Sequence, residues 1–264
     1  MSGDRLTGPV ETALRARRDG GGKCLVPYLT GGLGDDWVET IRAVAAAGAD
    51  VIEVGVPFSD PVMDGPTIQA ANELALGAGA TPTSILDALR GADVGVPLVV
   101  MTYYNIAYRM GLERFAEALL EGGVSGCILP DLPLEEADPW LEVAAAAGVE
   151  SILLAAPTAP DERLPRICER SRGFVYGVGL LGVTGVRAEL AASAIEIAVR
   201  LKAVTDVPVL VGVGVGTPEQ AVEASNHGDG VVVGSAVVQR MVDGAGPEGV
   251  AALVADFRSA LDAS

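Results

Sequence analysis

The chain has 264 residues, half of them apolar and 20% charged, which predicts a globular fold and excludes a disordered chain. Its net charge of -17 and pI of about 4.3 argue against nucleic acid and anionic membranes as partners, because both are bound by basic surfaces. No apolar run reaches the ~20 residues of a membrane span, and the first residues lack the apolar segment of a signal peptide. We therefore expect a cytoplasmic protein, in which backbone N–H groups could still bind a small phosphorylated ligand.

Short apolar runs alternate along the chain with longer stretches of helical pattern, and glycine or proline separates them. The runs predicted as strands are residues 24–29, 51–55, 97–102, 126–129, 151–155, 173–177, 207–211 and 230–234. The predicted helices are residues 10–18, 37–47, 67–77, 82–89, 111–121, 134–147, 161–171 and 190–204, with two more beginning at Ser235 and Glu248.

The strands and their turns predict the architecture. Turns with glycine, at Gly48, Gly123, Gly148 and Gly228, precede four strands, and we expect each glycine to end a helix in the left-handed conformation. Apolar strands that do not alternate indicate a parallel sheet buried on both faces. Eight such units predict a single (β/α)8 TIM-barrel domain over residues 1–264, with extra helices at the N-terminus and after strand eight.

The three cysteines, Cys24, Cys127 and Cys168, have no CxxC spacing and cannot form an even disulfide framework. Two of them lie in or beside apolar strand-like runs. We expect reduced thiols in the core rather than a metal or redox site.

Two carboxylates, one within the second predicted strand and one after it, are the first candidates for catalysis. Glu53 lies inside the apolar run, and Asp64 follows after a loop rich in proline and glycine. Two carboxylates in different surroundings suit general acid/base chemistry, because the surroundings can separate their pKa values. The structural alternatives are that Glu53 pairs with a basic residue in the barrel wall and that Asp64 caps the helix beginning near Pro66.

Other polar side chains follow neighbouring strands, at the edge where TIM barrels place their catalytic groups. Tyr103 and Asn105 follow strand three, Asp131 follows strand four, and Tyr176 lies in strand six. Each has a structural alternative, as a rim tyrosine with a hydrated hydroxyl or as a turn former. Their convergence on one rim makes them a candidate site.

Glycine-rich loops after strands six to eight indicate a second half of this site. The loop over residues 179–185 is long enough to act as a lid, a GVGVG stretch follows strand seven, and Gly234 and Ser235 begin a helix after strand eight. Glycines let backbone N–H groups approach an anion, and a helix N-terminus favours negative charge. A GxGxG motif alone also suits an ordinary turn, but this position in a barrel favours phosphate binding.

The sequence lacks the residues that several common enzyme mechanisms require. His227, the only histidine, lies on the strand-entry side, so a metal-dependent aldolase or epimerase is not expected. Lys23 and Lys202, the only lysines, do not follow a strand, so a Schiff base has no nucleophile. Without a Ser–His pair, acyl transfer is excluded as well. Acid/base catalysis by carboxylates on a phosphorylated substrate remains.

The motifs resemble those of the tryptophan synthase alpha chain family. The resemblance rests on VPYLTGG, IEVGVPFSDPVMDGPTIQ, MTYYN, LPDLP, FVY followed by GVTG, VGVG and VVVGSA, in that order, from about Lys23 to Met241. It implies a lyase of tryptophan biosynthesis that cleaves indole-3-glycerol phosphate to indole and glyceraldehyde 3-phosphate without a metal or cofactor.

The resemblance also implies roles for individual residues. Glu53 would be the acid/base at the indole ring carbon and the glycerol hydroxyl, Asp64 would accept the indole N–H, and Tyr176 would position both carboxylates. An apolar slot would raise the pKa of Glu53 toward neutrality. Backbone amides of Gly185, Gly214, Gly234 and Ser235 would bind the phosphate. The indole pocket and its lid would comprise Tyr28, Tyr103, Leu129, Thr184 and Val213.

The same resemblance implies a beta-chain partner in an alpha2-beta2 heterotetramer, with residues 57–60 and the segment around Asp131 at the contact. Pyridoxal phosphate would belong to the beta chain alone. This chain departs from the family pattern at residues 177–181, which are less polar than expected for the lid, and at Val213, which is smaller than expected beside the indole.

Three other hypotheses remain open from the sequence. The first is a stand-alone indole-3-glycerol-phosphate lyase that releases free indole. The second is a regulatory subunit that has lost turnover, which the presence of Glu53, Asp64 and Tyr176 together disfavours. The third is another phosphate-binding barrel, such as a sugar-phosphate isomerase.

Overall fold

Eight parallel strands form a closed barrel in a computed structural model that describes residues 7–179, 187–212 and 214–264. Each strand pairs with the next along the chain, and the last pairs with the first. The strands are β1 (Cys24–Thr30), β2 (Ile52–Gly55), β3 (Leu98–Met101), β4 (Val124–Ile128), β5 (Glu150–Ala155), β6 (Val175–Val178), β7 (Val209–Gly212) and β8 (Gly230–Val233). The predicted (β/α)8 TIM barrel is confirmed, and its assignment as one domain over residues 1–264 stays a prediction.

Helices cover the outside of the barrel and connect its strands. They are α1 (Pro9–Asp19), α2 (Trp37–Ala46), α3 (Pro66–Gly77), α4 (Pro82–Leu89), α5 (Tyr104–Met110), α6 (Leu112–Glu121), α7 (Asp138–Ala147), α8 (Leu164–Arg170), α9 (Arg187–Lys202), α10 (Pro218–Ser225), α11 (Ser235–Val242) and α12 (Gly246–Asp262). Single 3-10 turns at Leu134–Glu136 and Asp161–Arg163 precede α7 and α8. Within the described ranges, no helix is both long and apolar enough to cross a bilayer.

Two helices, α5 and α10, are absent from the sequence-based prediction. The first backbone N–H of α5, that of Tyr104, is capped by Asp131 Oδ1 at 2.8 Å, a residue that follows a different strand. That cap depends on tertiary structure and leaves no local signal. Helix α10 does carry a local sequence signal, which is a threonine, Thr217, followed by a proline, Pro218. In the structure Thr217 caps the helix by accepting a hydrogen bond from the Gln220 backbone N–H.

The predicted glycine caps are confirmed at three of the four positions. Gly48, Gly123 and Gly148 have φ angles of 103°, 72° and 81°. The prediction is wrong for Gly228, which is not among the residues with positive φ. Glycine is needed there for space, because a Cβ would lie 2.9 Å from the backbone oxygen of Val209.

Successive side chains of each strand point alternately into the barrel and outward to the helices. Side chains that point inward fill the barrel below its carboxyl end; they include Val26, Val99, Ile128, Ile152, Phe174, Leu210 and Val232. Helix α1 closes the opposite end, where Val10 and Leu14 join this cluster. The Glu150 carboxylate holds α1 there by accepting the backbone N–H groups of Val10 and Glu11, at 2.7 and 2.9 Å. Among the described residues, the carboxyl end of the barrel is therefore the end left open for a ligand.

The three cysteines are buried, as predicted for core thiols. Cys24 packs in the barrel interior, whereas Cys127 and Cys168 pack between the strands and the helices. Burial raises the pKa of the Cys24 thiol to about 12, so this thiol stays protonated at neutral pH.

Candidate active site

A cleft of about 280 Å³ opens at the carboxyl ends of the strands. Both predicted halves of the site contribute to it: the carboxylates after β2 and the glycine loops after β7 and β8. Its lining includes Tyr28, Glu53, Met63, Asp64, Ile68, Met101, Pro130, Leu154, Tyr176, Gly212, Gly214, Val215, Val232, Gly234 and Ser235. The strand between the two halves is β1, which pairs with both β2 and β8.

Glu53 points into this cleft from the middle of β2, with 1% of its surface exposed. Neither carboxylate oxygen has a hydrogen-bond partner among the described residues. The hypothesis of a structural ion pair with a basic residue in the barrel wall is therefore wrong. Burial, and to a smaller extent the negative charge of Asp64, raise the pKa of Glu53 from 4.5 to about 8. A carboxyl group with that pKa is protonated at neutral pH and can both donate and accept a proton.

Asp64 lies on the loop between β2 and α3 and is half-buried. Its Oδ2 accepts a hydrogen bond from Asn72 Nδ2 at 3.2 Å, and the Tyr103 hydroxyl lies close enough to influence its pKa. Burial raises the pKa of Asp64, while these two groups oppose the rise. The N-cap of α3 is Gly65 and no side chain caps it, so the hypothesis that Asp64 is a helix cap is wrong.

Two tyrosines enter the cleft from opposite sides of the barrel, and each needs a glycine on the neighbouring strand. A Cβ on Gly55 of β2 would collide with the Tyr28 hydroxyl, and one on Gly212 of β7 would collide with the Tyr176 ring. Burial raises the pKa of both phenols well above the usual value, and the negative charge of Glu53 adds to the shift. Both hydroxyls therefore remain protonated beside Glu53.

The glycine-rich side of the cleft offers backbone N–H groups rather than charged side chains. Gly214 has a φ angle of 57°, which glycine adopts without strain. Gly234 is the N-cap of α11, and Ser235 is its first residue. Gly185, Thr184 and Val213 lie outside the described residues, as do Leu180 and Leu181 of the lid.

Two predicted pocket residues do not line the cleft. Tyr103 lies behind Asp64, where its ring stacks on Phe58 at 4.9 Å between centroids and its hydroxyl accepts the Met63 backbone N–H at 3.0 Å. Leu129 points outward and lines a neighbouring cleft of about 370 Å³. The inward positions of this segment are Ile128 in the barrel interior and Pro130 in the cleft that contains Glu53.

The remaining candidates lie away from the cleft. Asn105 is exposed on α5, and Asp131 caps that helix. Lys23 and Lys202 are at the strand-entry side, where Lys23 donates to the Ser225 and Gly228 carbonyls and Lys202 pairs with Asp229 at 2.9 Å.

Asn72 is the residue beside the carboxylates that the sequence-based prediction missed. It lies on α3 among Ile68, Ala71 and Ala75, which form the buried stripe of that helix. A polar amide at a stripe position was the available signal, since such positions are otherwise apolar.

The sequence matches the family model described as tryptophan synthase alpha chain over residues 14–260. The chain belongs to the tryptophan synthase alpha chain family. The tryptophan synthase alpha chain of Streptomyces coelicolor is 45% identical to it, with 92% of this chain and 93% of the relative covered. The alpha chain of Microcystis aeruginosa is 42% identical, with 95% and 97% covered.

Solved structures of tryptophan synthase agree with this assignment. A chain of Mycobacterium tuberculosis tryptophan synthase has a TM-score of 0.89 and 38% identity, with 97% of this chain and 99% of that chain covered. The alpha chain from Legionella pneumophila has a TM-score of 0.86 and 33% identity, with 97% and 98% covered. The family and the carbon–carbon lyase class predicted from the motifs are therefore confirmed.

Proposed function

We propose that Glu53 and Asp64 carry out the reaction of the tryptophan synthase alpha chain family in this protein. That reaction is the cleavage of indole-3-glycerol phosphate to indole and glyceraldehyde 3-phosphate, in tryptophan biosynthesis. The observation that supports the proposal best is the unpartnered, buried Glu53 carboxyl, which shares one cleft with Asp64 and with the glycine loops. A buried carboxyl without a partner destabilises the fold and is retained where it has a chemical role.

In the first step, protonated Glu53 donates its proton to the indole carbon that carries the glycerol chain. The ring becomes a cation, and its N–H is hydrogen-bonded by the Asp64 carboxylate, which stabilises the positive charge. In the second step, the carbon–carbon bond breaks and its electron pair returns to the ring. The hydroxyl on the departing carbon loses its proton to Glu53 and becomes the aldehyde, so the enzyme recovers its starting protonation state.

Tyr176 acts in this scheme as a positioning residue for the carboxylates, from the opposite side of the cleft. Tyr28 forms part of the indole pocket, and the side chains of Pro130 and Leu154 line the same cleft. Leu129 and Tyr103 belong to the layer behind it. Thr184 and Val213 keep the pocket and lid roles that the family resemblance implies.

The substrate phosphate binds at the opposite side, on the backbone N–H groups of Gly214, Gly234 and Ser235, together with Gly185. The support for Gly234 and Ser235 is their position at the first turn of α11, where unpaired N–H groups favour an anion. This mode of binding needs no lysine or arginine, in keeping with the net charge of -17.

The partner of the chain is the tryptophan synthase beta chain. We infer an alpha2-beta2 heterotetramer in the cytoplasm, with pyridoxal phosphate in the beta chain, whereas members of the alpha-chain family generally carry no cofactor. Ser59, Asp60 and Asp131 are exposed beside the active-site rim, which suits the proposed contact. Val62, with 76% of its surface exposed, adds an apolar group to that surface. The alternative of a stand-alone lyase is not favoured, because the relatives are synthase alpha chains.

The proposal is tested by incubating the purified chain with indole-3-glycerol phosphate and measuring indole, with and without a beta chain. We expect cleavage by the wild type, stimulation by the beta chain, and loss of cleavage in Glu53→Gln. Glu53→Gln should still bind glycerol phosphate, because that ligand contacts only the glycine side of the cleft. Cleavage by Glu53→Gln at the wild-type rate would contradict the role assigned to Glu53.

A further inference from the structure

Asn72 is a buried amide in an otherwise apolar stripe of α3, with 3% of its surface exposed, and it does not line the catalytic cleft. Burying an amide costs free energy unless its polar atoms are paired. Its Oδ1 has no partner among the described residues, whereas its Nδ2 donates to Asp64 Oδ2 at 3.2 Å. Packing alone would favour an apolar side chain here, so the contact with Asp64 is the feature that distinguishes asparagine from leucine.

Tyr103 is a second group that stabilises the charged form of the same carboxylate. Its hydroxyl accepts the Met63 backbone N–H at 3.0 Å, and its hydroxyl proton is then available to Asp64, which can only accept when ionised. Stacking on Phe58 fixes the ring. Asp64 therefore has an amide donor from α3 and, next to it, a phenol that follows β3 and lowers its pKa.

We propose that Asn72 and Tyr103 are positioning residues that clamp the Asp64 carboxylate in its ionised form and direct its remaining lone pairs at the indole N–H. This inference rests on the proposed role of Asp64 and extends it to residues that do not touch the substrate. A carboxylate held by two donors keeps one orientation through the reaction, which a solvated side chain on a loop does not.

The clamp also opposes the rise in the pKa of Asp64 that burial causes. Burial raises its pKa, while Glu53, Tyr28 and Tyr176 face it across the cleft and contribute no positive charge. The hydrogen bond from Asn72 and the neighbouring Tyr103 phenol stabilise the charged form and lower the pKa. Removing one donor must therefore raise the pKa at which Asp64 becomes able to accept the indole N–H.

The test is the pH dependence of kcat/KM for Asn72→Leu, which keeps the branched shape of the side chain, with bulkier methyl groups, and removes the donor. Loss of a hydrogen bond to a charged group is expected to move the acidic limb of the kcat/KM profile about one pH unit upward, so that kcat/KM of the variant is about tenfold lower than that of the wild type at pH values below the wild-type limb. KM should change less than kcat, because the phosphate end of the site is untouched.

The matched control is Gln69→Leu on the same helix. Gln69 Nε2 donates to the backbone oxygen of Asp64 at 2.8 Å, so this variant removes an amide bond to the same residue but not to its carboxylate. It should leave the acidic limb in place. An equal shift in both variants, or no shift in folded Asn72→Leu, would overturn the clamp.

Two further variants separate this inference from the proposed function. If Asn72→Leu does not fold, Tyr103→Phe removes the other donor while keeping the ring on Phe58, and it should move the acidic limb in the same direction; an unmoved limb overturns the clamp. Asp64→Asn should abolish cleavage. Full activity of Asp64→Asn would refute the proposed role of Asp64, whereas an inactive Asp64→Asn with unshifted Asn72→Leu and Tyr103→Phe would refute only the clamp.

Discussion

Glu53→Gln should make the protein more stable at neutral pH, although it removes the group that we assign to catalysis. Burial raises the pKa of Glu53 in the folded protein from 4.5 to about 8. Between these values the folded protein retains a proton that the unfolded chain releases, so ionisation favours unfolding as the pH rises. Below pH 4.5 both states are protonated and the effect vanishes, and above pH 8 it reaches a constant maximum.

The magnitude follows from the size of the shift. At about 1.36 kcal/mol per pH unit, the destabilisation from Glu53 is about 3 kcal/mol at pH 7 and about 5 kcal/mol above pH 8. Glutamine has nearly the same shape and does not ionise, so the variant escapes this cost. Its buried NH2 group adds a penalty that does not depend on pH. The difference in the free energy of unfolding between variant and wild type should therefore grow by about 3 kcal/mol from pH 4.5 to pH 7.

Urea denaturation of both proteins at pH 5, 6, 7 and 8.5 measures that difference directly. Titrating groups that do not interact with Glu53 cancel, because they are common to the two proteins. Glu73→Gln, at an exposed position of the same α3 helix that carries Asn72, provides the background for a glutamate-to-glutamine change in solvent. A difference that stays constant with pH would show that Glu53 titrates near its usual value, and the assignment of a neutral-pH acid would then fail.

Two other outcomes follow from the site geometry. The value of kcat/KM should fall about tenfold per pH unit above pH 8, as Glu53 loses the proton that it donates, and a profile that is flat to pH 9.5 would contradict its role as the acid. Gly212→Ala should lower kcat at least about tenfold, because the added methyl group displaces the Tyr176 ring, a misplacement of the kind that costs up to 10²-fold. Gly77→Ala is its control, since no atom lies within 4 Å of a Cβ at that position; equal activity of the two variants would show that Tyr176 does not depend on this space.

The sequence by itself determined the barrel and the chemistry available to it. Short apolar runs without alternation indicate strands of a parallel sheet that is buried on both faces, and eight of them separated by helices predict a closed barrel. Glu53 within such a run identified a buried carboxylate, and the glycines near Ser235 identified the anion side. These properties depend on residues close together in the chain, so a local pattern is enough to predict them.

Tertiary structure alone decided which way the side chains point and whether Glu53 is protonated. Leu129 points outward and Pro130 inward because the pairing of β4 with its neighbours sets which alternate positions face the barrel axis. Tyr103 contacts Asp64 from behind because its ring is stacked on Phe58. The pKa of Glu53 depends on burial by residues from several strands of the barrel. Desolvation sums over atoms that are distant in sequence, and no local pattern of residues reports that sum.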